Sequence, residues 1–242
     1  MESKESSDPN YMSIKDSLRL LDAWCEHNNI EFDEICYGVY AIMNKIHQKI
    51  NTLLVIGPSN AGKTVIFKNT LAPLVPFNGQ VGSVSNAGQF LWQMCPGSRA
   101  IFIEECRLAP EHIENAKLVF GGEDCMVDVK CKAQAKLSRT PVFISSNSYP
   151  WLQAPSPGDR QALTNRMIIF HCSTFNDLAN YDKPLNPGMW WNICQAIDNC
   201  EKLSMYDQQA NDWVESRGSI TVDDALRYSF SGELVFDLKS ID

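Results

Sequence analysis

Leu53-Leu54-Val55-Ile56 runs without a break into Gly57-Pro58-Ser59-Asn60-Ala61-Gly62-Lys63-Thr64, and an apolar helical run over 65–71 follows. Strand, GxxxxGK[ST] loop and helix in that order form the context in which the pattern carries chemistry. Gly57 and Gly62 allow a tight turn that points backbone N–H groups at phosphate oxygens, and the helix start behind it adds a dipole favourable to an anion. In such a loop Lys63 reaches the β- and γ-phosphates of a nucleoside triphosphate and the Thr64 hydroxyl ligates magnesium (Mg2+). A chance Gly/Lys turn is a poor rival, because the flanking strand and helix are both present.

From residue 52 onward, short apolar strands alternate with helical stretches, which predicts an α/β domain with a mainly parallel sheet. Strands are expected at Thr52–Ile56, Ala100–Glu104, 126–130, 141–145 and 167–172. Helices are expected to begin near Gly62, Ala87, Pro110 and Asn186, and Thr221 with Asp224 three residues later signals another. Ahead of residue 51, apolar residues at helical spacing predict helices over 11–24 and 33–49. The expected division is an N-terminal helical segment, 1–50, packed on a core, 51–200, with a helical extension, 201–242.

A phosphate loop needs acidic partners. Ala100-Ile101-Phe102-Ile103 is an apolar strand that ends in Glu104 and Glu105. In a parallel sheet those carboxylates share the carboxyl edge with the loop, where such folds bind ligands. One can hold the hydrated metal and the other can polarise an attacking water. The strand over 141–145 ends in Ser146-Asn147, and an Asn at that tip can orient water. By itself the start of the turn before Pro150 is the better reading; with the two preceding motifs in this order, the functional one is. Arg166 opens the last strand. A cation there is ordinarily structural or solvated, but in a ring it can reach a neighbour's γ-phosphate; Arg160 is a weaker candidate.

Charge and cysteine usage narrow the classes. The net charge of -8 is carried by the ends: residues 1–50 hold nine acids against five bases, and residues 201–242 hold nine against four. The middle is close to neutral, and within 125–145 Lys130, Lys132, Lys136 and Arg139 face Asp128 alone. Val127-Asp128-Val129-Lys130-Cys131-Lys132 alternates with period two, which puts Lys130 and Lys132 on one side and Val129 and Cys131 on the other. Two lysines on one face can grip a nucleic acid backbone. From spacing alone a solvated hairpin face is the better reading. The nine cysteines are odd in number and form no CxxC; Cys106, Cys131 and Cys172 sit in apolar or strand-like runs and read as buried or half-buried thiols of a reducing compartment. The four histidines are scattered singly, against a zinc site. No apolar run approaches the roughly 18–20 residues of a membrane span.

The ordered set GPSNAGKT, IFIEECRL, AKLVFGGEDCMVDVKCKAQAKLSRTPVFISSN and NRMIIF resembles the superfamily 3 helicases of small DNA viruses. The likeness is to the replication initiators of parvoviruses, densoviruses and adeno-associated virus, and it covers roughly residues 50–172. The resemblance implies an AAA+-like P-loop NTPase core with an N-terminal helical bundle, assembled as a hexameric or related homo-oligomeric ring. It implies ATP-driven 3′ to 5′ translocation on single-stranded DNA, in viral replication in the host nucleus. By the same resemblance, Gly57 to Thr64 form the Walker A loop and Glu104 and Glu105 the Walker B acids. Asn147 is sensor 1, Arg166 the arginine finger, and Lys130 and Lys132 lie on the DNA-contacting hairpin, which reverses the reading from spacing.

Ala61 departs from the Thr or Cys frequent at that position, a small change where backbone geometry matters most. No His-hydrophobe-His pair with a Tyr nucleophile is present, so the chain looks like the helicase part without the nicking endonuclease. Two rivals stand: an RNA-directed ATPase of the same superfamily, and a captured viral gene acting as a non-enzymatic interaction protein. Decay of Lys63, Glu105 or Arg166 would favour the second, and all three are intact.

Overall fold

Ser13 sets where the first helix begins. Its Oγ accepts the Asp16 N–H at 3.0 Å, capping α1 (Ile14–His27) three residues later than the apolar spacing suggests. The computed structural model describes residues 8–81, 90–152 and 156–206. The second helix, α2 (Phe32–Met43), stops short of the expected residue 49. Lys45 adopts φ +57°, and the Lys45 and Ile46 N–H groups return to Ile42 O and Ala41 O at 3.2 and 3.0 Å. That 5→2 and 6→1 pair is a Schellman closure. The apolar period continues to Ile46, but the backbone has already left the helix.

Five parallel strands follow, interrupted by a hairpin. The strands are β1 (Thr52–Ile56), β2 (Asn78–Val81), β3 (Ala100–Glu104), β6 (Val142–Ser146) and β7 (Met167–His171); the antiparallel hairpin is β4 (Cys125–Val127) with β5 (Ala135–Leu137). The sheet order is β2-β3-β6-β1-β7. β1 and β6 are buried throughout, as expected for parallel strands covered on both faces.

The period-two alternation of the strands divides the interior into two cores. Leu53, Val55, Phe102, Phe143 and Phe170 face one side and pack with Leu21, Trp24, Val39 and Ile42 of the N-terminal helices. The same cluster takes in Trp190, Ile193 and Ile197 of α6 (Gly188–Tyr206). Leu54, Ile56, Ile101, Ile103 and Ile144 face the other side, against Ile113, Val119 and Phe120 of α4 (Ile113–Gly121) and Val127 and Leu137 of the hairpin. Some elements escaped the sequence pattern, β2 and α5 (Pro157–Thr164) among them. β2 is polar and lies at the sheet edge, and α5 is announced only by a capping box between Ser156 and Asp159.

The remaining helical starts fall close to expectation. A π-helical turn, Thr64–Lys68, leads through the short α3 (Asn69–Leu71) into a 3₁₀ turn, Ala72–Leu74. A 3₁₀ turn at Pro110–His112 precedes α4, and the Asn186 side chain accepts the Gly188 N–H at 2.9 Å at the head of α6. The helix expected near Ala87, the one near Thr221, and nearly all of the extension 201–242 lie outside the described residues.

The alternation expected over Val127–Lys132 fails after Val127. Pairing covers only Cys125–Val127 with Ala135–Leu137, and residues 128–134 form the connecting loop. Cys131 takes φ +58° and is exposed, not packed against Val129, which corrects its reading as a buried thiol. A strand of three residues cannot carry the alternation through a turn. Cys106 is buried and Cys172 half-buried, as expected, and burial pushes the Cys106 thiol up to about 12.

Candidate functional site

The loop between β1 and the π turn is held from three sides. Gly57 N–H donates to Ser146 O at 3.1 Å, Phe175 N–H to Asn60 O at 2.9 Å, and the buried Trp24 indole N–H to Ala61 O at 2.8 Å. Asn60 and Gly62 take φ +61° and +80°, turning the chain back towards its own helix. A Cβ on Gly57 would stand 2.1 Å from Cys172 O, so only glycine lets β1 leave the sheet beside the end of β7. Pro58, Ser59 and Asn60 form the exposed arch of the loop, while Ala61 is buried. The Trp24 brace comes from a helix that sequence reasoning assigned only to packing. Its signal was a Trp on the buried stripe, whose N–H needs an acceptor.

Five polar residues from three distant parts of the chain meet at this edge. Lys63 Nζ donates to Gly57 O at 2.7 Å, Pro58 O at 2.6 Å and Asn147 Oδ1 at 2.9 Å. Thr64 Oγ1 donates to Glu104 Oε1 at 2.9 Å, and Lys68 Nζ pairs with the other carboxylate oxygen, Oε2. Burial alone would raise the Glu104 pKa, but the Lys68 and Thr64 hydrogen bonds and the Lys68 charge outweigh it and hold the carboxyl below its ordinary value. Lys68 was not among the candidates from sequence. Its position one turn beyond Thr64 was the available sign.

Glu105 follows with φ +51°, uncommon for a residue with a Cβ, and its Oε2 accepts the Asn147 N–H at 3.2 Å. The strained turn aims the Glu105 carboxylate back over the sheet edge towards the tip of β6. Lys63, Thr64, Glu104, Glu105 and Asn147 therefore form one connected group. Its donor set fits a nucleoside triphosphate with a hard divalent ion: a lysine beside a turned-back loop, with a hydroxyl and a carboxylate 2.9 Å apart.

Arg166 lies elsewhere. It precedes Met167, which pairs with Thr52, so it sits at the amino edge of the sheet, about 16 Å of strand away from the loop. Its guanidinium donates to Ala162 O at 2.6 Å and stands 3.9 Å from Glu123, and its Nε is buried without a partner. The Gly121-Gly122 pair passes between two arginines. A Cβ on Gly121 would meet Arg166 Nε at 3.0 Å, and one on Gly122 would meet Arg139 Nε at 2.8 Å. Arg160 is exposed on α5, and Lys130 and Lys132 are exposed on the loop of the hairpin, remote in sequence and in element from the phosphate loop.

Residues 15–177, about two thirds of the chain, match the family model described as parvovirus non-structural protein NS1. Among curated relatives, initiator protein NS1 of Junonia coenia densovirus is 27% identical over 176 residues, covering 72% of this chain and 31% of that protein. Protein Rep52 of adeno-associated virus 2 is 36% identical over 100 residues, 41% of this chain and 24% of that protein. Initiator protein NS1 of human bocavirus 2 is 32% identical over 114 residues, 47% of this chain and 14% of that protein. The chain thus spans less than a third of the length of each of these relatives. A solved structure of a JCV helicase shares the fold at a TM-score of 0.51 and 12% identity, over 75% of this chain and 54% of that one. With its mostly parallel P-loop sheet and the family match across it, the chain belongs to the parvovirus non-structural protein NS1 family.

Proposed function

We propose that this chain is the ATP-hydrolysing helicase motor of a viral replication initiator, acting on single-stranded DNA in the host nucleus. The observation that carries the reading is the convergence of Lys63, Thr64, Glu104 and Asn147 at one sheet edge, joined by hydrogen bonds of 2.9 Å. Lys63 exchanges its carbonyl partners for the β- and γ-phosphate oxygens of ATP, and the loop from Gly57 to Gly62 cradles them with backbone N–H groups. Thr64 and Glu104 would hold the magnesium, which supplies charge neutralisation between phosphate oxygens when bound. Glu105 draws a proton from the attacking water, and Asn147, which already links Lys63 to Glu105, orients it.

The position of Arg166 at the opposite edge supports action in trans. It cannot reach its own loop across the width of the sheet, so in a homo-oligomeric ring it serves the γ-phosphate of a neighbouring copy. Lys130 and Lys132 stand out from the hairpin loop and grip the DNA backbone, and hydrolysis moves that loop 3′ to 5′ along the strand. The name initiator protein, carried by several of the relatives, supports the reading as part of a viral replication initiator.

DNA-stimulated ATP hydrolysis tests the reading. The parent should hydrolyse ATP faster with single-stranded DNA present, and Lys63→Ala should abolish turnover. Lys130→Ala/Lys132→Ala should keep basal hydrolysis and lose the stimulation. Undiminished turnover by Lys63→Ala would overturn the assignment of the site, and equal stimulation of the hairpin variant would remove its role.

A further inference from the structure

At the amino edge of the sheet, at the base of the hairpin, lies an open cavity of about 690 Å³ whose charged lining is entirely basic: Lys45, Arg99, Lys136 and Arg139. They come from four segments: the left-handed turn after α2, the residue before β3, strand β5, and the lead-in to β6. Lys136 is offset by Asp124 at 2.6 Å, and Arg139 is spent on the His47 carbonyl and Asn51 Oδ1. Lys45 and Arg99 are exposed, and among the described residues no ion pair or side-chain hydrogen bond engages either. Two unpaired cations, one ion-paired lysine and one arginine held only by neutral oxygens share one cleft, which is unexpected in a chain of net charge -8.

The rim carries a second, independent feature. Phe77 follows Pro76 of the lining and is 80% exposed, the most exposed large apolar side chain described. Its φ of +59° turns the ring outward at a backbone conformation that side chains with a Cβ seldom adopt. Its carbonyl accepts the Arg99 N–H at 2.9 Å, so ring and guanidinium are tied to one backbone contact. Cations along a groove with an exposed aromatic beside them are how proteins hold unpaired nucleic acid without reading its sequence: charge follows the phosphates and the ring stacks on a base.

We infer that this cleft is a second single-stranded nucleic acid site, separate from the Lys130/Lys132 loop, in which Arg99 and Lys45 take backbone phosphates and Phe77 stacks on a base. The inference extends the proposed action on DNA but does not use the ATP site. Lys136, on the hairpin's return strand, lines the cleft and lies next in the chain after the loop at 128–134.

Fluorescence anisotropy with labelled oligodeoxythymidylate, without nucleotide, tests it on the chain as it stands. Lys45→Ala/Arg99→Ala should weaken binding at least tenfold and flatten the salt dependence by about two counterions. Phe77→Ala should weaken it about tenfold, and Phe77→Tyr, which keeps the ring, should not. Lys183→Ala, a charge change elsewhere, should bind as the parent does. An iododeoxyuridine oligonucleotide should photocrosslink to the peptide containing Phe77. Binding of oligouridylate at the same residues would place RNA in the same class of ligand and support the site. If Lys130→Ala/Lys132→Ala loses binding while every cleft variant binds as the parent and crosslinks fall only within 128–134, the cleft is overturned and the DNA-motor reading stands. If the cleft variants lose binding but DNA does not stimulate hydrolysis by the parent, the cleft stands and the motor reading falls.

Discussion

Thr64 Oγ1 and Glu104 Oε1 are joined at 2.9 Å across β6, which separates β3 from the strand β1 that leads into the Thr64 loop. The bond ties the start of the π turn to the tip of β3, and Lys68 closes it from the other side. The hydroxyl and the ammonium each engage one oxygen of the same carboxylate, so each limits what that carboxylate can hold.

Lys68→Met frees one oxygen of the Glu104 carboxylate. The Glu104 pKa is depressed by Lys68 and Thr64 against the effect of burial, so removing Lys68 lets it rise. A depressed carboxyl adds stability that is present above its unfolded pKa and is lost as pH falls through the folded value. The variant should therefore lose part of its stability at neutral pH and show less further loss on acidification. Its ATPase acid limb should shift to higher pH. A pH–rate profile and acid unfolding followed by circular dichroism check both, and superimposable profiles would count against the Lys68 contribution.

Gly57→Ala brings a methyl group to 2.1 Å from Cys172 O, a backbone atom that cannot move aside by rotation. The expected cost is about 1–3 kcal/mol of stability, read as a lower Tm, together with loss of nucleotide binding. Cys172→Ala should not rescue it, because the nearest clash is with the carbonyl. A parent-like Tm would show that the loop can leave β7 more freely than its geometry implies.

Trp24→Phe keeps most of the buried ring surface and deletes only the indole N–H that binds Ala61 O at 2.8 Å. Stability should fall by about 1 kcal/mol for the lost hydrogen bond and the orphaned carbonyl. Nucleotide affinity should fall further than that of a core variant such as Ile42→Val, because the bond holds the loop itself. Titration with a fluorescent nucleotide separates the two effects.

Arg166→Ala should lower turnover by on the order of 10³ while leaving nucleotide binding intact. Mixed with Lys63→Ala, it should regain part of the activity, since an interface pairing intact Lys63 with a neighbour's intact Arg166 is complete. No recovery in the mixture, or full activity of Arg166→Ala alone, would remove the role in trans. Gly121→Val should mimic the loss, since its side chain would displace the arginine whose Nε lies 3.0 Å from a Cβ there.

The strands were legible because each is a short apolar run. Thr52–Ile56 and Ala100–Glu104 begin and end where the pattern says, the strand at 142 is shifted by one residue at both ends, and the strand at 167 ends one residue early. β2 was not, since Asn78-Gly79-Gln80-Val81 has no apolar run and exists because β3 offers it an edge. The reach of α2 was overestimated for a related reason. Periodicity through Ile46 describes side chains, and it is the left-handed Lys45 that ends the helix.

By itself the sequence determined the GxxxxGK[ST] loop: Gly57, Gly62, Lys63 and Thr64 are encoded by spacing within eight residues and by the strand and helical turn on either side. It also named the acids and the Asn that the fold brings to that loop. Only the tertiary structure decided what completes the arrangement. Trp24 braces the loop from a helix some forty residues upstream, Lys68 claims half of Glu104, Arg166 lies on the far edge from its own loop, and Phe77 stands beside a basic cleft assembled from four segments. Those relationships join residues far apart in the chain, and no local period records them, because strand order and turn geometry set which of them meet.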